Sequence, residues 1–88
     1  MNEKILRALI EAGAVKKIEL RAEGATIYAL VHSGTEPKPA QTLKGHLKTW
    51  SSLDTAAKWV RSLGIGRMQL DVAKWQPEQR KKNLAIWI

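Results

Sequence analysis

Apolar residues at helical spacing predict an amphipathic helix over residues 3–11, close to the start of the chain. Its stripe consists of four residues: Ile5, Leu6, Leu9 and Ile10. Asn2 is a suitable N-cap because its side-chain oxygen can accept a hydrogen bond from an unpaired N–H of the first turn. Gly13 is placed to end the helix. The pattern thus predicts a short helix with one face directed to a core.

A second helix followed by a strand forms the clearest pattern in the chain, over residues 51–72. The apolar positions of the helix are Leu53, Ala56, Ala57, Val60 and Leu63. Ser51 or Ser52 can serve as the N-cap, and Gly64 stands where a helix stop is expected. The next apolar positions, Met68, Leu70 and Val72, alternate with polar ones and predict a half-buried strand. A helix–glycine–strand unit is therefore expected here.

Three further stretches alternate in the manner of strands: residues 15–22, 25–31 and 41–50. The last places Thr42, Lys44, His46, Lys48 and Trp50 on one face. Residues 33–40, with their glycine and prolines, predict a loop. The order is α-β-β-β-α-β, which favours an α+β fold: an antiparallel sheet of about four strands with both helices on one face. Residues 1–75 are expected to form a single domain, and residues 76–88 a basic and apolar C-terminal arm or short helix.

Charge bears on the partners of the protein more than on its fold. The chain has 88 residues, a formal net charge of +7 and no cysteine. A surplus of this size in a small domain favours nucleic acid as the partner, and the absence of cysteine excludes disulfides and thiolate metal sites. No apolar run near the start resembles a signal peptide or a membrane span. A soluble cytoplasmic protein with no membrane partner is the expectation.

Catalytic and metal-binding patterns are lacking in the sequence. His32 and His46 do not have the spacing of metal ligands, and the glycines at 64 and 66 follow a helix instead of opening one, unlike a phosphate-binding loop. A site built from His46 and Asp71 would require a proximity that the sequence does not indicate. We therefore expect a protein that is not an enzyme and has no cofactor, metal or small-molecule substrate.

The predicted strand 41–50 supplies the candidate DNA-contacting face. Its polar row would hold Lys44 and Lys48 against phosphates, with His46 between them and Trp50 against a base or sugar. Three cations would extend this surface: Lys58, Arg61 and Arg67. The alternative is that the row is the solvated outer face of a sheet.

The apolar end of the chain offers another kind of contact. Leu84, Ile86, Trp87 and Ile88 would form a patch that needs a cover. A homodimer through these residues is one solution, and it would double the basic face. The alternative function is accordingly a protein–protein interaction module, acting through this terminus or a sheet edge, without direct binding of nucleic acid.

Two stretches resemble a known family: ALIEAGAVKKIEL and SSLDTAAKWVRSLGIGRMQLDVAKWQP. They are similar to the small ParC-type partition-associated proteins of bacterial plasmids, which share a short opening helix ending in EAGA and an LDTAA…LGI…D unit. The likeness covers most of residues 6–77. It implies an accessory protein in the maintenance or partition of a plasmid or mobile element, and it assigns no functional residues. The terminal LAIWI is not part of the likeness.

Overall fold

A computed structural model of the protein describes residues 1–76, which form two helices and five strands. In chain order these are α1 (Glu3–Glu11), β1 (Lys17–Gly24), β2 (Thr26–His32), β3 (Lys38–Pro39), β4 (Thr49–Trp50), α2 (Leu53–Ser62) and β5 (Gln69–Trp75). The predicted α+β class is confirmed. The predicted dimer residues Leu84, Ile86, Trp87 and Ile88, and nearly all of the predicted arm, lie outside the described residues.

The five strands form one open, mixed sheet in the order β3-β2-β1-β5, with β4 also paired to β2. β1 and β2 are an antiparallel hairpin, whereas β5 runs parallel to β1. The expectation of a wholly antiparallel sheet is therefore wrong for β5. The physical reason is that alternation marks the two faces of a strand but carries no information about its direction.

Both helices begin and end where the local signals place them. The Asn2 side chain accepts a hydrogen bond from the Ile5 N–H at 2.9 Å. Ser52, the second of the two candidate serines, caps α2 by accepting from the Thr55 N–H at 3.2 Å. After α2 the chain passes through Gly64 at φ 88°, a left-handed conformation that a residue without Cβ adopts at little cost. Local sequence signals thus determine the helix ends.

The core lies against one face of the β1–β2 hairpin. The register pairs Ile18 with Val31, Leu20 with Ala29 and Ala22 with Ile27, so all six side chains point to the same side. These residues and the helical side chains form a single buried cluster, to which the helices contribute Leu6, Ala56 and Val60. Helices and sheet therefore share one hydrophobic core.

β5 confirms the predicted strand but not its burial. Met68, Leu70 and Val72 are 38%, 45% and 42% exposed, so within residues 1–76 nothing covers them fully. β5 has β1 as its one sheet neighbour in this part of the chain. Alternation indicates which side chains share a face, whereas burial requires an element packed over that face.

Across the described residues, no helix is long and apolar enough to cross a membrane.

Truncating a core side chain should destabilise the protein far more than the same change at the surface. Leu20 is fully buried, whereas Leu43 is 77% exposed. We expect Leu20→Ala to lower the free energy of unfolding by about 2–5 kcal/mol, because it leaves a cavity. Leu43→Ala should change it by no more than about 0.5 kcal/mol. Urea denaturation followed by circular dichroism measures both, and equal effects would contradict the assigned core.

Candidate nucleic-acid interface

Residues 41–47 form a tight hairpin, so the predicted continuous strand 41–50 is wrong. The Thr42 N–H donates to the His46 carbonyl at 2.7 Å, and the Gly45 N–H donates to the Thr42 carbonyl at 2.9 Å. Gly45 adopts φ 87°, which reverses the chain cheaply because glycine has no Cβ. A hairpin this short shows the same alternation as a strand. Only Thr49–Trp50 pairs with β2, as β4.

This 41–47 hairpin separates the residues of the predicted polar row. Lys44 and His46 lie exposed at or beside its tip, and Lys48 and Trp50 lie beyond its base. Backbone bonds fix the base: the Gln41 N–H donates to the Met1 carbonyl at 2.7 Å, and the Lys48 N–H donates to the Ala40 carbonyl at 3.0 Å. The hairpin thus presents one cation and one imidazole from an anchored base, not from the face of a sheet.

Two tryptophans and a lysine connect this base to both helices. The ring centroids of Trp50 and Trp59 are 5.0 Å apart at an interplanar angle of 46°. The Lys48 ammonium lies 5.6 Å and 5.8 Å from the two centroids, within the range of a cation–π contact. The Trp59 indole N–H donates to Glu3 Oε1 at 3.0 Å. This bond, followed by that from Arg7, lowers the pKa of Glu3.

The sequence predicts that Trp50 contacts a base or sugar, whereas its aromatic neighbour in the structure is Trp59. Both indoles are half-buried and pack against the core cluster. The tryptophan pair therefore acts as a structural joint between α2 and β4, and Lys48 is engaged at this joint. Within the predicted row, Lys44 and His46 are exposed, whereas Lys48 and Trp50 are partly buried.

The three remaining predicted cations fall into two places. Lys58 and Arg61 are exposed on α2, and Lys58 makes an ion pair with Asp54 at 3.1 Å. Exposed i,i+4 pairs of this kind contribute little to stability, so Lys58 remains accessible to a phosphate. Arg67 lies between α2 and β5, where it lines a cavity together with Lys16 and Lys17. The structure thus places Arg67 with two cations at the start of β1, Lys16 and Lys17, that the sequence prediction did not include.

Sequence reasoning also missed two cations of α1. Lys4 and Arg7 line a cleft of about 590 Å³ together with Thr42, Leu43 and Lys48. The available signal was their helical spacing opposite the apolar stripe, which places both on the polar face of α1. That this face meets the 41–47 hairpin follows from tertiary contacts and not from a local pattern.

The sheet face expected to carry the Lys44 row carries a network of ion pairs instead. Glu19, only 6% exposed, contacts Arg21 Nη2 at 2.9 Å and His32 Nε2 at 3.1 Å. Arg21 also lies 3.7 Å from an oxygen of Asp71 on β5. Burial raises the pKa of Glu19, but the hydrogen bonds from Arg21 and His32 outweigh it and leave that pKa lowered.

Among the described residues, most acids are in ion pairs, whereas most cations are not. Four acids are held in ion pairs: Glu3, Glu19, Asp54 and Asp71. Lys4, Lys16, Lys44 and Arg61 are exposed cations without an ion-pair partner in residues 1–76. The surplus positive charge therefore lies on the surface, where an external anion can reach it.

Comparisons with known proteins give no relative: no protein-family model, no curated protein and no solved structure matches the chain.

Acid should lower the free energy of unfolding, in part because it protonates Glu19. Because its folded-state pKa lies below the ordinary value of 4.5, the carboxylate stabilises the fold above that value and loses the effect as pH falls through the folded pKa. We expect Glu19→Gln to lower the free energy of unfolding by about 1–3 kcal/mol at neutral pH. The difference from wild type should shrink as the pH falls below 4.5 and through the lowered folded-state pKa of Glu19.

Urea titrations at several pH values measure this difference. Glu36→Gln is the matched control, since Glu36 is exposed and has no ion-pair partner within the described part of the chain. A constant gap between wild type and Glu19→Gln across the titration would contradict the role of the ionised carboxylate.

Proposed function

We propose that the protein is a non-enzymatic accessory that binds DNA through its phosphates, using the 41–47 hairpin and the exposed face of α2. The proposal rests on one observation. In a chain of net charge +7, a larger share of the described acids than of the described cations is in ion pairs. Four of the seven acids in residues 1–76 are held in ion pairs, whereas Lys44 and Arg61 remain exposed without one in these residues. Cations of this kind displace the counterions of a polyanion.

Lys48 connects the segments that carry the proposed DNA-binding surface. Lys48 contacts Trp59 of α2, and the same lysine lines the cleft with Lys4 and Arg7 of α1. The 41–47 hairpin, α1 and α2 therefore meet around Lys48. Each segment carries exposed cations: Lys44 on the hairpin, Lys4 on α1, and Lys58 and Arg61 on α2. Cations from three separate segments can follow a phosphate backbone over a longer distance than those of one helix.

Phosphate contact is favoured over base stacking at this surface. Trp50 and Trp59 pack on each other, and Lys48 lies over both rings. Stacking on bases requires an aromatic face open to the ligand. We infer an electrostatic mode of binding that depends weakly on DNA sequence, with duplex DNA as the ligand.

The biological setting follows from the resemblance to ParC-type proteins alone. That likeness supports a role in the maintenance or partition of a plasmid or similar element. A homodimer through residues 84–88 would fit such a role and stays a prediction. Binding of a second protein remains the alternative function, and the exposed apolar row of β5 favours it.

Charge reversal at the proposed surface should weaken DNA binding. We expect the double variant Lys44→Glu/Arg61→Glu to lose at least about tenfold in affinity for a labelled random duplex. For about six phosphate contacts, wild-type affinity should fall about a thousandfold between about 50 and about 200 mM salt. Fluorescence anisotropy titrations at several salt concentrations measure both effects.

The matched control is Lys38→Glu/Lys74→Glu, which makes the same change in net charge at exposed positions on β3 and β5. It should weaken binding much less. Equal losses in both double variants would show that net charge and not this surface matters. Failure of the wild-type chain to bind at low salt would refute DNA binding itself.

A further inference from the structure

A cavity of about 440 Å³ opens where the α1–β1 and α2–β5 connections meet. Its apolar lining includes Ile10, Val15 and Ile65. Because β1 and β5 are parallel, their first residues lie at the same end of the sheet. The cavity is therefore fixed by the sheet topology and adjoins the start of β5.

Three cations line the same cavity: Lys16, Lys17 and Arg67. Among the described residues that line it, none is acidic. Lys17 donates to the Gln69 side chain at 2.8 Å, which holds the two strands together at this point. An apolar cavity with cations at its side is complementary to a ligand that is itself apolar and acidic.

The edge of β5 continues this surface. Met68, which lines the cavity, begins the exposed apolar row that runs on through Leu70 and Val72. An edge strand offers unpaired backbone groups to a further strand. Peptides that add to such an edge gain affinity from main-chain hydrogen bonds and specificity from alternate side chains.

The first half of β5 is the half suited to pairing. Between Asp71 and Lys74 the register with β1 shifts, as in a β-bulge, and the Ala73 N–H is taken by the Asp71 side chain at 3.0 Å. Bulges discourage the pairing of edges. The regular stretch beside the cavity is therefore Gln69–Asp71, and pairing with β1 resumes at Lys74 only after the bulge.

We propose that this surface binds an extended segment of an acidic partner protein, which adds as a strand to β5. Its alternate apolar side chains contact Met68 and Leu70, and its acidic end lies against Arg67 and the two lysines. A second copy of this chain is the poorer match, because it would bring another basic protein, with Arg67 and Lys74 on its own β5 edge, to a basic site. This inference is independent of DNA binding.

The position of the cations predicts the polarity of the bound segment. They lie at the beginning of β5, so a segment running antiparallel to β5 must carry its acids at its carboxyl end. A parallel segment must carry them at its amino end. Two labelled peptides with the same apolar–threonine alternation, each with a pair of glutamates at one end, distinguish the two orientations.

Fluorescence anisotropy of these peptides with the full chain tests the proposal. We expect one of them to bind, and its glutamine counterpart to bind at least about tenfold more weakly. Leu70→Thr, which preserves strand propensity, should abolish binding, and Met68→Thr, at the other contacted position, is the second variant if that one does not fold. Leu43→Thr, at the exposed tip of the 41–47 hairpin, is the matched control and should leave binding unchanged.

Several results would overturn the proposal. These are no binding of either peptide, equal binding of the glutamate and glutamine forms, and insensitivity to Leu70→Thr and Met68→Thr. Sedimentation showing a dimer that Leu70→Thr dissociates would make a second copy the occupant. Peptide binding that appears only after deletion of residues 84–88 would make the chain's own terminus the occupant. DNA affinity of Leu70→Thr, measured in parallel, should equal that of wild type, so the two proposals fail separately.

Discussion

The arrangement of the molecule depends on the burial of one face of the β1–β2 hairpin. Ile18, Leu20 and Val31 are removed from water there against side chains of both helices. Burial of this kind is the dominant favourable contribution to folding. The opposite face of the sheet then carries polar residues. Because Glu19 is buried on that face, its charge requires partners, which are Arg21 and His32. The core and the ion-pair network are thus two consequences of one constraint.

Features with local causes could be predicted from the sequence, and features with distant causes could not. The extent of α1, its Asn2 cap and the Gly64 stop depend on neighbouring residues, and all three predictions are confirmed. The strand predicted over 41–50 failed because a hairpin around Gly45 alternates equally well. The direction of β5 and the partners of Glu19 depend on contacts between segments far apart in sequence, which no local pattern records.

The candidate site illustrates the same division. The predicted cations exist as exposed groups, except that Lys48 is engaged between two indoles. What the sequence could not supply was their grouping: Lys4 and Arg7 beside the 41–47 hairpin, and Lys16 and Lys17 beside Arg67. The two groups have different surroundings, since the second adjoins the edge strand β5 and its exposed apolar row. This difference is the physical basis for proposing a polyanion at one and a peptide at the other.

The parallel pairing of β1 with β5 also bears on how the chain folds. Glu19 pairs with Gln69, so about fifty residues must be closed into a loop before this ladder forms, whereas the β1–β2 hairpin closes over a few. The hairpin is expected to assemble early and β5 to arrive late. Until then the edge of β1 is open to other chains, which makes the docking of β5 the step at which folding competes with aggregation.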